Sequence, residues 1–232
     1  MRLKIFSDGA DINDMLKAYN SKSVSGFTTN PTLMKKSGIT DYMAFAKEAL
    51  MNITDMPISF EVFSDELDEM EQQAYKLRDL GDNVYVKIPV TNTKSVPTYD
   101  LIKKLTSQNV KVNVTAIFTE EQIKNVSESI VNGTPSVISI FAGRIANAGI
   151  DPEPIMQFAV DLTKDNPEKE ILWASPREAL NIIQAERCGC DIITVTPDIL
   201  KAMDTFGKDL EEFSLETVKM FYDDACSAGF KI

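Results

Sequence analysis

The sequence predicts an α/β fold, a single-domain (β/α)₈ barrel over residues 1–232 with an extra C-terminal helix at residues 209–228. The composition, 44% hydrophobic and 25% charged, is that of an ordinary globular domain. Short apolar runs alternate with amphipathic stretches along the chain, and no linker rich in Pro, Gly or Ser divides them. Strands that alternate with helices form parallel sheets. About eight such units fit a compact barrel, and a doubly wound open sheet is the alternative.

Eight apolar runs bounded by polar residues are the strand candidates. They lie at residues 3–8, 24–29, 57–62, 84–89, 110–115, 135–141, 170–175 and 191–195. Between them, stretches such as 66–77 and 120–126 repeat apolar residues every three or four positions, which indicates helices. The tail, 209–228, carries an apolar stripe of the same kind. Its members are Leu210, Phe213, Val218, Phe221, Tyr222 and Ala225.

The alternation of side chains within the strands favours the barrel over the open sheet. In four successive strand candidates the odd-numbered residues include the polar ones, such as Glu61, Lys87 and Asn113, while their even-numbered neighbours are apolar. Successive side chains of a strand point to opposite faces. An open parallel sheet is covered by helices on both faces and would be apolar on both. A barrel can hold polar side chains inside, near its carboxyl-terminal rim.

The charge of the chain argues against nucleic acid or a membrane as a partner. Thirty-five acidic and twenty-four basic residues give a net charge of −11, which opposes attraction to polyanions and anionic lipid. The first residues reach Asp8 too soon for a signal-peptide core, and no apolar run of 18 residues follows. We therefore expect a cytoplasmic protein.

The rare residue types narrow the chemistry. There is no histidine, which excludes Ser-His and Cys-His catalysis and histidine-ligated metals. The three cysteines, Cys188, Cys190 and Cys226, form no paired CxxC motif and are expected to be structural thiols. No Walker loop, dinucleotide-binding GxGxxG or EF-hand spacing occurs. We expect no metal and no cofactor.

Polar residues gather late in every strand candidate, where barrel enzymes carry their active sites. They are Asp8, Thr28, Thr29, Asn30, Glu61, Lys87, Asn113, Thr115, Ser139, Ser175, Thr194 and Thr196. Lys87 stands out because it interrupts the apolar run VYVKIPV. A buried lysine that loses its hydration can act as a neutral amine and form a Schiff base. A structural ion pair with Asp8 or Glu61 is the other interpretation of this residue.

Two arginines follow the sixth and seventh strand candidates. Arg144 lies in SIFAGRI and Arg177 in WASPREAL, at or near predicted helix starts. An arginine beside a helix N-terminus suits a phosphate group. Solvated or capping arginines are the alternative.

These residues make the sequence resemble the short-chain members of the transaldolase family, which include the fructose-6-phosphate aldolases. The resemblance is carried in order by GFTTNPTL, FEVFSD, VYVKIPVT, VNVTAIFT, SIFAGRI and ILWASPREAL, from Asp8 to Arg177, and the remainder follows the same plan. It implies a (β/α)₈ barrel in which Lys87 is the Schiff-base lysine.

The resemblance also implies a role for each matching residue. Asp8 would be the acid and base for carbon–carbon cleavage, and Glu61 would act through a water held with Thr115. The substrate-binding residues would be Thr29, Asn30, Asn113, Ser139 and Phe141 for the sugar, with Arg144, Ser175 and Arg177 for its phosphate. Glu61 and Phe141 are of the transaldolase kind, since the aldolases have Gln and Tyr there. Gly9, Ile140 and Pro176 depart from the usual family residues.

The activity expected from this resemblance is that of a transaldolase of the pentose phosphate pathway. It would transfer a dihydroxyacetone unit from sedoheptulose 7-phosphate or fructose 6-phosphate to an aldose phosphate. A fructose-6-phosphate aldolase and a non-catalytic phosphosugar-binding barrel are the alternatives. Short-chain relatives form decamers in which the C-terminal helix crosses to a neighbour, so we expect a homo-oligomer, with a decamer favoured.

Overall fold

The computed structural model describes residues 2–232, in which eight parallel strands form a closed barrel in sequential order. The strands are β1 (Lys4–Asp8), β2 (Gly26–Thr28), β3 (Ile58–Glu61), β4 (Val84–Pro89), β5 (Val112–Ile117), β6 (Ser136–Ile140), β7 (Lys169–Trp173) and β8 (Ile192–Val195). Strand β8 pairs with β1 and closes the sheet. The predicted (β/α)₈ barrel is confirmed, and the open sheet is excluded because the barrel has no free edge.

Helices lie between the strands and after β8. They are α1 (Ile12–Asn20), α2 (Pro31–Lys36), α3 (Tyr42–Asn52), α4 (Leu67–Arg78), α5 (Tyr99–Ser107), α6 (Glu120–Ser129), α7 (Ala142–Asn147), α8 (Glu153–Thr163), α9 (Leu180–Arg187), α10 (Pro197–Ala202) and α11 (Leu210–Ala228). Strand-end polar residues cap several of them. The Asn30 side chain accepts from Leu33 N at the start of α2, and Thr119 with Gln122 forms a capping box at α6.

Two strands, β5 and β7, end two residues away from the predicted positions, and backbone conformation explains both. Strand β5 continues to Ile117 because a bulge interrupts its pairing with β6 between Val114 and Ile117. Ala116, inside the bulge, has φ +62°. Strand β7 stops at Trp173, two residues before Ser175, whose φ of +60° is left-handed and ends the extended run.

The interior of the barrel has an apolar layer below the polar rim. Phe6, Val137, Leu172, Ala174 and Ile192 form one buried cluster. These residues come from β1, β6, β7, β8 and the residue after β7, so the contacts run across the interior. Gly26 on β2 makes room for the ring of Phe6, since a Cβ at Gly26 would lie 2.6 Å from that ring. The layer separates the two ends of the barrel.

The amino-terminal end of the barrel holds a separate cavity of about 230 Å³. Tyr85 and Ser59 line it, together with Lys4 and Glu170, which form an ion pair. Burial, with a smaller contribution from Glu170, raises the pKa of Tyr85 to about 12. The polar residues of the predicted site lie at the other, carboxyl-terminal end.

The chain divides into two compact units, residues 1–200 and residues 201–232. The second unit contains α11, which is capped by Asp209 at its start and by Gly229, with φ +67°, at its end. Apolar residues of α11 including Leu210, Phe213, Phe221 and Tyr222 are exposed. The prediction of one domain over 1–232, and that of a 209–228 helix that packs on a neighbouring subunit, stay predictions.

Candidate active site

Lys87 lies inside the barrel, next to Glu61 on the neighbouring strand. The two residues are directly paired in the β3–β4 register. The Lys87 Nζ atom lies 3.4 Å from Glu61 Oε2 and donates a hydrogen bond of 3.1 Å to the carbonyl oxygen of Thr29. Lys87 is 7% exposed. Its amine is therefore held near the rim by a carboxylate and a carbonyl, with its third proton position free to face a ligand.

Asp8, at the end of β1, is the second carboxylate of this region. Thr28 Oγ1 donates to Asp8 Oδ1 at 2.8 Å. Asn30 Nδ2 lies 3.4 Å from Asp8 Oδ2, which is a long hydrogen bond. Since Asn30 Oδ1 is already used to cap α2, the amide nitrogen of Asn30 is the atom that must face Asp8.

Both carboxyl groups have raised pKa values. Burial is the main cause for Asp8, and Lys87, Thr28 and Asn30 partly offset it. Burial also raises the pKa of Glu61, against the opposing charge and hydrogen bond of Lys87. A carboxyl group whose ionised form is disfavoured takes up a proton at a higher pH, so both groups are suited to acid–base work.

Asn113 and Ser139 meet through a chain of hydrogen bonds in the interior. Ser139 Oγ donates to Asn113 Oδ1 at 2.7 Å, and Asn113 Nδ2 donates to Ser59 Oγ at 3.0 Å. This arrangement fixes which way the Asn113 amide points. The strands β3, β5 and β6 each supply one member.

Thr115 follows Asn113 on β5, and its hydroxyl has no protein partner. Its Oγ1 atom is buried without a hydrogen bond to any residue of 2–232. A buried hydroxyl left in that state costs about 1–3 kcal/mol. Ala116, with its left-handed backbone, follows directly in the bulge and sets the direction of the strand at this point. The Thr115 hydroxyl is thus available to a water or a substrate atom.

Thr29 is fully buried and forms hydrogen bonds with both its side chain and its backbone. Its hydroxyl donates to the carbonyl oxygen of Ser59 at 2.9 Å, and its own carbonyl accepts from Lys87. Tyr42, which sequence reasoning missed, donates its hydroxyl to the Glu61 carbonyl oxygen at 2.8 Å. Tyr42 lies at the start of α3, outside any strand end, so the strand-end rule could not find it.

Arg144 follows β6 and Arg177 follows β7, and Arg177 contacts the helix that carries Arg144. Arg177 Nε lies 3.3 Å from Asn147 Oδ1, one helical turn beyond Arg144 on α7. Both arginines are exposed, and neither has a carboxylate within salt-bridge distance among residues 2–232. Guanidinium groups without a carboxylate partner are suited to bind an anion.

Gly143 explains how the two arginine segments approach so closely. A Cβ at Gly143 would lie 1.6 Å from the carbonyl oxygen of Ser175. No side chain other than hydrogen fits, and the loop after β7 packs directly on the start of α7. The left-handed φ of Ser175 is part of the same turn.

Phe141, which directly precedes α7, contacts both Arg144 and a second aromatic ring. The Arg144 guanidinium is 5.4 Å from the centre of its ring, and the Phe118 ring is 5.8 Å away on another side. Phe141 is half-buried and packs against the interior cluster. It presents an apolar surface, with no hydroxyl that could orient water.

Lys169 is a second buried strand lysine, which sequence reasoning did not single out. Its Nζ atom donates to the carbonyl oxygen of Ser127, 3.0 Å away, and burial lowers its pKa. It begins β7, at the amino-terminal end, and no carboxylate among residues 2–232 lies within salt-bridge distance of it. Its position away from the rim separates it from the polar cluster around Lys87.

Two further observations concern metal ligands and membrane-spanning helices. Among residues 2–232, no three cysteine, aspartate or glutamate side chains are grouped so that they could hold a metal ion. None of the helices in the same residues is both long enough and apolar enough to cross a membrane.

Comparison with known proteins identifies relatives along almost the whole chain. The family model described as transaldolase/fructose-6-phosphate aldolase matches residues 5–232. A probable transaldolase from Thermoplasma volcanium is 33% identical over 204 residues, covering 87% of each chain. One from Clostridioides difficile is 32% identical over 225 residues, covering 92% of this chain and 100% of the relative. One from a Ruegeria species is 32% identical over 232 residues, covering 99% and 100%.

The site and the comparisons agree on the class of protein. A barrel with an interior lysine beside one carboxylate, and within the electrostatic influence of a second, is suited at its carboxyl-terminal rim to Schiff-base chemistry. The family match covers every residue of that arrangement. The chain belongs to the transaldolase/fructose-6-phosphate aldolase family of enzymes.

Proposed function

We propose that this protein is a transaldolase of the pentose phosphate pathway. It would transfer a dihydroxyacetone unit from sedoheptulose 7-phosphate or fructose 6-phosphate to an aldose phosphate. The observation that carries the proposal is the position of Lys87 Nζ, buried at the rim and held by Glu61 and the Thr29 carbonyl. A nucleophilic amine is the group that the reaction needs first.

In the first step, Lys87 gives a proton to the neighbouring Glu61 carboxylate and, as a neutral amine, attacks the ketone carbon of the donor sugar. The resulting carbinolamine loses its hydroxyl as water and becomes an iminium ion. Glu61 lies beside the amine, and its raised pKa allows it to pass a proton to the departing oxygen through a water. The unpaired Thr115 hydroxyl supports this role, since a buried water needs two or more polar partners.

In the second step, Asp8 removes the proton from the hydroxyl group next to the bond that breaks. The aldose phosphate leaves as an aldehyde, and the electron pair of the broken bond is delocalised into the iminium to give an enamine. Asp8 keeps the proton until an acceptor aldehyde arrives, and returns it to the new alkoxide oxygen. The raised pKa of Asp8 suits a group that both takes and gives a proton.

Substrate binding is assigned to the residues around these two steps. Asn30, Asn113 and Ser139 would form hydrogen bonds with the three-carbon unit. Thr29 would help to position Lys87 through its carbonyl oxygen. Arg144 and Arg177, with Ser175 in the turn between them, would take the sugar phosphate. Guanidinium groups bind phosphate through two parallel hydrogen bonds, and their lack of acidic partners among residues 2–232 leaves those donors free.

We also propose that the protein is a cytoplasmic homo-oligomer, with a decamer favoured. Within α11, Leu210, Phe213, Val218, Phe221 and Tyr222 are exposed. A contiguous exposed apolar stripe on a helix is typical of a protein–protein interface. Sedimentation equilibrium of the full chain would give the subunit number, and a monomer at micromolar concentration would contradict this proposal.

A coupled assay separates the transaldolase from the aldolase. Fructose 6-phosphate is supplied with and without erythrose 4-phosphate, and glyceraldehyde 3-phosphate release is followed. A transaldolase turns over steadily only with the acceptor present. Equal steady rates with and without acceptor, with free dihydroxyacetone formed, would identify an aldolase. Absence of turnover under both conditions would favour the remaining alternative, a non-catalytic phosphosugar-binding barrel.

A further inference from the structure

The side chain of Asp8, on β1, is the end of a hydrogen-bond chain that begins at Thr194 on the neighbouring strand β8 and passes through Thr28 on β2. Thr28 Oγ1, on β2, donates to Asp8 Oδ1 at 2.8 Å, and the same Thr28 hydroxyl is hydrogen-bonded to the hydroxyl of Thr194, on β8. Strand β1 lies between β2 and β8 in the barrel. The two strands that flank Asp8 therefore join their hydroxyls inside the barrel, beside its carboxyl group.

The hydrogen bonds from Thr194 to Thr28 and from Thr28 to Asp8 run in one direction, which follows from the number of hydrogens that each group can donate. A hydroxyl group has one hydrogen to donate. When Asp8 is ionised it can only accept, so the Thr28 hydrogen goes to Asp8 and the Thr194 hydrogen must go to Thr28. Within residues 2–232 the Thr194 hydroxyl has no other hydrogen-bond partner. Thr194 is therefore the first donor of a chain whose last acceptor is Asp8 Oδ1.

The direction of this chain distinguishes the two oxygens of Asp8. Oδ1 is occupied by the strong bond from Thr28, while Oδ2 has only the long contact of 3.4 Å from Asn30. A proton on Oδ1 would make that oxygen a weaker acceptor for the Thr28 hydroxyl, and if that proton were donated to Thr28, the hydrogen-bond chain would need an acceptor beyond Thr194. We infer that Thr194 is a positioning residue that acts through Thr28, keeping Oδ1 an acceptor so that Asp8 takes and returns its proton at Oδ2.

Other charged groups near Asp8 also influence its pKa, independently of Thr194. Lys87, from β4, favours the ionised form of Asp8, and Glu61, from β3, is a second carboxylate in the same region. Neither of them is part of the Thr194–Thr28 chain. Loss of the Thr194 hydroxyl would weaken the polarised bond from Thr28 and leave these charges in place. The ionised form of Asp8 would become less stable, and its pKa would rise further.

The catalytic part of this inference rests on the proposed function, and its test uses an isosteric change. In Thr194→Val we expect kcat for transfer from fructose 6-phosphate to fall by about fivefold to tenfold with little change in KM, since the change acts on a proton transfer. The acidic limb of the pH profile should move upward by about 0.5 pH unit. Thr194→Ser, which keeps the hydroxyl, should restore both. Thr163→Val is the matched control, because Thr163 is buried and its hydroxyl donates only to a helix carbonyl.

A second measurement does not depend on activity. Titration of the Asp8 carboxyl carbon by NMR in the free enzyme should give a higher pKa in Thr194→Val than in the wild type and in Thr163→Val. If Thr194→Val does not fold, Thr194→Ala removes the same hydroxyl with less bulk. An unchanged Asp8 pKa with an unchanged acidic limb would overturn the inference, as would a defect that Thr194→Ser shares. A wild type without sugar-cleaving activity would refute the proposed function, while the Asp8 titration would still decide whether Thr194 acts on Asp8.

Discussion

Lys87 and Glu61 occupy paired positions on neighbouring strands, and Lys87 Nζ lies 3.4 Å from Glu61 Oε2. The pair is enclosed, with 9% of the lysine side chain and 18% of the glutamate side chain exposed. A buried ion pair of this kind contributes little net stability, because both charges lose their hydration. Its arrangement at the rim is better explained by chemistry, since the carboxylate can serve proton transfers at the amine.

The first prediction concerns the covalent intermediate. Borohydride added with fructose 6-phosphate should attach a reduced sugar fragment to Lys87, found by peptide mass mapping. Lys87→Met should abolish the adduct and reduce activity by more than about 10³-fold, or about 4 kcal/mol. Lys169→Met is the matched control, because Lys169 is also buried but lies at the other end of the barrel. An adduct on Lys169, or labelling of Lys87→Met at the wild-type level, would refute the mechanism.

The second prediction concerns the two arginines. Arg144→Ala and Arg177→Ala should each raise KM for fructose 6-phosphate by about tenfold to a hundredfold, since a hydrogen bond to a charged group is worth about 1.5–3 kcal/mol. The melting temperature should change by less than about 2 °C, because both side chains are exposed. Arg187→Ala is the control, since Arg187 is exposed but already paired with Glu153. A large drop in melting temperature with unchanged KM would assign the arginines to the fold.

The third prediction concerns transfer against release. In the proposed mechanism the three-carbon unit remains on Lys87 as an enamine after cleavage, and its hydrolysis needs a proton on carbon and then a placed water. Phe141 offers no hydroxyl to orient that water. Phe141→Tyr should therefore increase free dihydroxyacetone relative to transfer by about ten to a hundredfold, from one hydrogen bond of roughly 1–3 kcal/mol.

The measurement for Phe141→Tyr is the free dihydroxyacetone formed per glyceraldehyde 3-phosphate, with acceptor present and absent. Phe118→Tyr adds a hydroxyl to the other ring of the same aromatic pair and tests whether the position matters. An unchanged ratio in Phe141→Tyr would show that Phe141 does not control water at the enamine, even in a transaldolase.

The fourth prediction is a pH dependence of stability. The folded-state pKa of Asp8 is raised. Between the unfolded value of 3.8 and this higher folded value, the folded protein therefore binds more protons than the unfolded chain. Stability from this group is then present at low pH and is lost as the pH rises toward the folded pKa. Asp8→Asn, which resembles the neutral acid, should raise the melting temperature at pH 7, and the gain should shrink below pH 4.

Asp65 provides a control of opposite sign. Hydrogen bonds from Thr93 lower the pKa of Asp65, so its ionised form is favoured in the folded protein. Asp65→Asn should therefore lower the melting temperature at pH 7, with a smaller loss at low pH. Thermal unfolding of both variants from pH 3 to pH 8 tests the pair. A melting temperature of Asp8→Asn below that of the wild type at pH 7 would contradict the sign derived for Asp8.

Much of the fold was predictable because it depends on local patterns. Apolar runs alternating with amphipathic stretches predict strands and helices, and the alternation along β3 and β4 predicts that Glu61 and Lys87 face inward. The strand ends were less predictable. Ala116 in the bulge and Ser175 in the turn both have left-handed backbone conformations. Neither residue type favours that conformation, so the sequence gives no sign of it.

Residue types and their alternation were enough to predict which side chains could do chemistry: an interior lysine, carboxylates in place of histidine, and two arginines after strands. Which of these side chains meet depends on the tertiary structure. Thr194 and Thr28 are 166 positions apart and touch because β8 closes on β1. Lys87 points into the barrel beside Glu61, whereas Lys169, also buried on a strand, points outward and donates to the carbonyl oxygen of Ser127 on α6. Residue type and alternation are local properties, whereas the distance between atoms on different strands depends on register and closure, which the whole packed barrel sets.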